Sequence, residues 1–131
     1  RLCRDWSSDV CSSDLNQPLW RRMGFALAGL AHALRTERSV RFEAVVFVLV
    51  WAALAVLRPA PLWWAATALA SAAVLAAELL NTAIEALADH LRPELHPQIR
   101  IVKDCAAAAV FVSVVGALVV AAALAVHLLR W

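Results

Sequence analysis

Glycine is scarce in this chain of 131 residues: Gly24, Gly29 and Gly116 are the only three, and none is followed by the Lys-Ser/Thr of a P-loop. That excludes a P-loop, a GxGxxG turn and any other glycine-rich element that cradles phosphate with backbone N–H groups. A nucleotide could be held only by a site built on helices. Cysteine is nearly as sparse: Cys3 and Cys11 stand in the opening tail and Cys105 stands alone. A thiolate metal site or redox pair lacks its partners, and Cys105 reads as a small apolar filler. Charge is thin as well. Only 17% of residues are charged against 63% hydrophobic, which is far from the balance of a water-soluble domain.

What the chain does have is long apolar runs. A membrane-crossing helix needs about 20 mostly apolar residues, because each adds about 1.5 Å across a layer of about 30 Å. Three stretches meet this, at residues 39–58, 62–91 and 100–130. Trp63 and Trp64 open the second as an interfacial aromatic anchor does. Arg58, Pro59, Ala60 and Pro61 form a tight turn after the first span, since proline cannot continue a helix. The second link, LRPELHPQIR, turns back at Pro93 and Pro97, so consecutive spans run antiparallel. The opening RLCRDWSSDVCSSDL, with its near-repeat WSSDV and CSSDL, reads as a non-native or disordered tail within residues 1–17. Between residues 18 and 35 the sequence fits a helix lying on the membrane surface or, equally, one packed on the protein. The expected fold is an all-α membrane protein with a surface amphipathic helix and three spans.

Basic residues are unevenly placed. Seven of the twelve Lys and Arg precede the first apolar run, Ala44 to Leu57; Arg58 alone stands between it and the second, and Arg92, Arg100 and Lys103 stand at the link between the second and third. By the positive-inside rule the N-terminus and second link are cytoplasmic.

The acids are not scattered either. The segment AELLNTAIEALAD places Glu78, Asn81, Glu85 and Asp89 at relative positions 0, 3, 7 and 11. At about 100° per residue these fall within an arc of roughly 80° on one helix face. A carboxylate at membrane depth costs at least a few kcal/mol, so such a stripe faces protein, water or cations. Snorkelling at a helix end accounts for Asp89 but not for Glu78, which lies about 16 Å deeper. Glu37 and Glu43 open the first span and Lys103 and Asp104 open the third, at the same membrane surface. Carboxylates and an amide without Cys or paired His ligands are hard oxygen donors that suit magnesium over zinc. Phosphoryl transfer needs a metal on the phosphates, a cation on the transferred group and a base at the nucleophile, and all three residue types are present.

ELLNTAIEALADHLRPELHPQIRIVKDCAAAAV, preceded by RTERSVRFE, resembles the bacterial membrane diacylglycerol kinase family, which includes undecaprenol kinases. The resemblance covers roughly residues 24 to 131 and implies one lipid kinase domain over 18–131, assembled as a homotrimer in the inner membrane. It implies that ATP with Mg2+ phosphorylates a lipid alcohol, diacylglycerol being the expected acceptor and undecaprenol the alternative that the residues leave open, among membrane lipids and without nucleic acid. By position, Glu78 resembles the catalytic base, and Glu37 and Glu85 the metal ligands, which also belong to the ATP site. Asn81, Glu94, His96, Lys103 and Asp104 resemble nucleotide-binding residues, Arg41 and Glu43 lie with Glu78 at the lipid site, and Asp89 supports them. Leu95 and Ala26 depart from the Tyr and Ser found in some members.

Two other classes compete on the residues alone. A proton or ion transporter could relay through Glu78, Glu85 and Asp89, but the acids stop about halfway along their span and the third span offers only Ser113. A passive membrane anchor leaves Glu78 unexplained.

Overall fold

The computed structural model describes residues 18–91 and 97–130, and every regular element among them is an α-helix. They run in the order α1 (Leu19–Thr36), α2 (Arg38–Leu57), α3 (Pro61–Leu91) and α4 (Pro97–Leu129). The chain divides into two units, Arg1–His32 and Ala33–Trp131.

The first unit contributes most of α1. Its helix starts where the Pro18 carbonyl accepts the N–H of Arg21 at 2.9 Å, and the Arg21 guanidinium lies over the Trp20 ring, 5.2 Å from its centroid. Leu19, Trp20, Met23, Phe25 and Leu27 are all exposed.

In the second unit a single residue, Glu37, separates the end of α1 from the start of α2. Its backbone is extended, at φ −94° and ψ 127°, while its N–H still reaches the Ala33 carbonyl at 2.8 Å. α2 is rich in valine, a residue with low helix propensity in water. It is nonetheless helical over its whole length, because hydrocarbon offers no partner to an unpaired backbone group and the helix satisfies them all internally.

α2, α3 and α4 are long and apolar enough to cross a membrane. They differ in reach. At about 1.5 Å per residue the 20 residues of α2 span about 30 Å, whereas the 31 of α3 and 33 of α4 extend about 46 and 50 Å. The two longer helices therefore outreach the hydrocarbon layer by about 15 to 20 Å. The turn between α2 and α3 is tight, so the surplus lies at the opposite end, where the charged residues are.

α3 packs most extensively on α4 and less on α2. Trp63 meets His127 with ring centroids 5.4 Å apart near the turn end, and Lys103 pairs with Asp89 at the charged end. These two contacts mark the two ends of the antiparallel α3–α4 pair. A cleft along the same pair is lined by Ala73, Ala76, Ala77, Ala106 and Ala109, small residues that let helices approach closely where no hydrophobic driving force operates. α2 is held through Trp51, which meets Trp64 at 5.7 Å, and through Val40 and Leu54, which are fully buried. α4 begins at Pro97, before the expected residue 100, since proline at the first helical position forfeits only an N–H that has no partner there.

Arg58 ends α2 in the left-handed region, at φ 47°, with its N–H returned to the Leu54 carbonyl at 2.8 Å. This is the cap geometry that glycine normally serves, and Pro59 and Pro61 then prevent the helix from resuming. Arg58→Gly removes a Cβ clash and is expected to stabilise the protein by about 0.5–1 kcal/mol, provided the turn is retained. Equilibrium unfolding in detergent measures it, and an unchanged or lowered midpoint would contradict the strained cap.

Candidate functional site

A helix with a long stripe of polar groups can offer them to two different neighbours, depending on how it is rotated. On α3 the stripe begins earlier than the acids: Thr67, Ser71, Val74 and Glu78 follow one another at helical spacing and line a common trough. The trough lies between α2, α3 and α4, has a volume of about 500 Å³ and is walled chiefly by valine, alanine and leucine, down to Leu124.

Glu78 is 6% exposed and opens on this trough. Glu43 reaches it from α2, and the two carboxyls are close enough to interact electrostatically. Glu43 Oε2 is buried without a hydrogen-bond partner among the described residues. With Pro61 at one membrane surface, Glu78 lies about 25 Å along α3, inside a hydrocarbon layer of about 30 Å, while Glu85 and Asp89 lie at about 36 and 42 Å, beyond it. Two acids thus share one end of an apolar trough, at hydrocarbon depth.

The other polar groups form pairs. Asn81 turns toward the α4 side of α3, where its Nδ2 donates to Glu85 Oε1 at 3.0 Å and its Oδ1 is buried without a hydrogen-bond partner among the described residues. Lys103 donates across the helix pair to Asp89 Oδ1. Arg100 and Asp104, one turn apart on α4, approach to 3.8 Å in full exposure. Glu37 is half-buried at the start of α2 without a side-chain capping bond, and Arg41 is exposed one turn further on. Glu94 and His96 lie outside the described residues. The acids of α3 and α4 therefore stand in separate pairs along the bundle, where the sequence alone shows a single stripe.

No three of the His, Cys, Asp and Glu side chains gather into a metal site among the described residues. Magnesium does not need such a cage: it is held by one or two carboxylates, with phosphate oxygens and water completing an octahedron. The Glu85 carboxylate and the unpartnered Asn81 carbonyl oxygen beside it are hard oxygen donors that fit this partial coordination.

Two features escape a reading of the sequence. The Arg100–Asp104 pair has a signal in its i, i+4 spacing. The meeting of Glu43 with Glu78 has no signal in residue spacing and is expected only from the family resemblance, since it depends on how α2 and α3 are rotated against each other. Ser113 behaves as a serine in an apolar helix does, donating to the Ala109 carbonyl at 2.9 Å.

Three apolar helices, an acid buried at hydrocarbon depth and a charged helix end beyond it define a helical membrane protein with a polar site near one surface. The profile of prokaryotic diacylglycerol kinases matches residues 24–125, and the chain belongs to that family. A diacylglycerol kinase of Synechocystis sp. is 36% identical over 97 residues, which make up 73% of this chain and 55% of the relative. The chain spans about half the length of that curated relative.

Glu43→Gln keeps the shape of the side chain and removes one negative charge from the pair in the trough. It is expected to raise stability in detergent at pH 8 by about 1 kcal/mol, the range of a relieved functional strain. Denaturant titration is the check, and a clear loss of stability would mean that a partner holds the Glu43 carboxylate.

Proposed function

We propose that this chain phosphorylates a membrane lipid alcohol with ATP, converting diacylglycerol to phosphatidic acid at the cytoplasmic face of the bacterial inner membrane. The observation that carries this reading is Glu78, a buried carboxyl that opens on an apolar trough just below a charged, water-facing helix end. A lipid alcohol presents a primary hydroxyl on an apolar tail. The trough suits the tail and Glu78 suits the hydroxyl.

In this mechanism Glu78 accepts the hydroxyl proton as the lipid oxygen attacks the γ-phosphorus of ATP, and the bond to ADP breaks. Lys103 offsets charge on the transferred phosphoryl group. Glu37 and Glu85 would hold magnesium, which would supply charge neutralisation on the nucleotide phosphates. Asn81 and Asp104 orient the nucleotide, together with Glu94 and His96 on the link. Arg41 and Glu43 meet the lipid headgroup. Positioning accounts for most of the catalysis, since phosphoryl transfer asks little covalent chemistry of the protein.

The assembly follows from what one chain leaves uncovered. Of the most apolar window of α4 none is buried and of α2 only 11% is, so the trough and the cleft open outward unless lipid or other copies cover them. A homotrimer closes them in this reading, with α1 lying on the cytoplasmic leaflet, its exposed apolar side chains in the lipid and Arg21 and Arg22 among anionic headgroups. A relay for ions is not favoured, because below Glu78 the trough wall carries only Thr67 and Ser71.

The direct test is phosphorylation of diacylglycerol and of undecaprenol by purified protein with labelled ATP. Diacylglycerol is expected to be the better acceptor, and Glu78→Gln to abolish turnover while nucleotide binding persists. Near-normal turnover in that variant removes Glu78 as base, and undecaprenol as the sole acceptor corrects the substrate.

Glu85→Ala takes one oxygen donor from the magnesium site and is expected to raise the magnesium concentration for half-maximal rate by about tenfold or more. A wild-type magnesium titration would remove Glu85 from the metal site.

A further inference from the structure

A lysine ammonium is a compact charge on a flexible four-carbon stem, so a lysine that must meet one phosphoryl group needs something to hold it there. Lys103 has two acids within choice. Asp104 is its neighbour in sequence but points to Arg100 on the same helix, at 3.8 Å. Lys103 instead reaches across to Asp89 on α3. Among the described residues, the three acids beyond Glu78 on α3 and α4 thus each meet a different group: Asp104 meets Arg100, Asp89 meets Lys103 and Glu85 meets Asn81.

The pair is too wet to matter much as a staple. The Lys103 side chain is 34% exposed and that of Asp89 is 67% exposed, and ion pairs in such surroundings contribute little to stability. Its geometric effect is larger than its energetic one. Asp89 stands one turn beyond Glu85 on the polar stripe of α3, about 6 Å further along the axis. Pairing with it draws the ammonium off α4 and toward the face that carries Asn81 and Glu85. One N–H is used on Asp89, and two remain to donate to phosphate oxygens.

We propose that Asp89 is a positioning residue for phosphoryl transfer: it holds the Lys103 ammonium over the Asn81–Glu85 face of α3, where the γ-phosphate of the nucleotide is presented. This rests on the lipid-kinase reading above, in which Lys103 meets the transferred group. Asp89 touches neither substrate and acts only through Lys103.

The test is a double-mutant cycle on the intact protein in lipid–detergent micelles, with initial rates over a range of ATP and the unfolding midpoint of every variant. Asp89→Asn is expected to lower kcat about tenfold or more, with the KM for ATP changed far less, because a misplaced ammonium is felt most in the transition state. Asp89→Glu, which restores the carboxylate on a longer arm, recovers much of the rate. In the residual turnover of Lys103→Ala, adding Asp89→Asn causes no further loss. Asp89 is only a structural contact if Asp89→Asn lowers kcat equally with and without Lys103, if Asp89→Glu gives no recovery, or if the lost rate tracks a lowered midpoint. Wild-type rates in Lys103→Ala overturn the role of Asp89 while leaving the lipid kinase intact. Failure of the wild-type chain to phosphorylate either lipid overturns the kinase reading itself, and this role with it.

Discussion

Hydrocarbon solvates neither an unpaired peptide group nor a carboxylate, and nearly every feature of this protein answers one of those two refusals. The first compels α2, α3 and α4 to be continuous helices, valine-rich as α2 is, since only a closed ladder of internal hydrogen bonds survives there. The second makes Glu78 the most demanding residue in the chain. A charge at that depth costs at least a few kcal/mol, yet the side chain is buried in the trough beside a second carboxyl. Such an arrangement persists where function compensates for it.

The lengths of the helices convert that constraint into a site. α2 is about as long as the hydrocarbon layer is thick, whereas α3 and α4 continue beyond it by about three turns. The continuation carries Glu85, Asp89, Arg100, Lys103 and Asp104 into water while remaining rigidly joined to Glu78 by the same helix. In the reaction proposed above, a water-soluble nucleotide and a lipid-soluble alcohol would meet along this one rod, the rise of the helix spacing Glu78, Asn81 and Glu85 without a glycine loop.

Packing is governed by small residues and a few long ones. Alanines along α3 and α4 allow close approach, with Trp63 against His127 near one end of the pair and Asp89 against Lys103 at the other. α2 makes fewer contacts and contributes Glu43 to the trough. The family to which the chain belongs is named for a lipid kinase, and a cleft open to lipid between lightly packed helices is consistent with an acceptor that arrives from the bilayer.

The spans, the turn between α2 and α3 and the acidic stripe of α3 were legible in the sequence because they depend on local rules: apolar length, proline placement and the angular period of a helix. The spacing of Glu78, Asn81, Glu85 and Asp89 alone shows that these groups share a face. Which neighbour each one meets is another matter. That Glu78 opens on the trough with Glu43, that Asn81 turns to the α4 side, and that Lys103 prefers Asp89 over its own neighbour Asp104 depend on the rotation and offset of three helices. Those quantities are set by side chains far apart in sequence, such as Trp51 against Trp64 and Val40 and Leu54 in their buried positions. A helical period determines the face of a residue, and only the packing of one helix against another decides what that face sees.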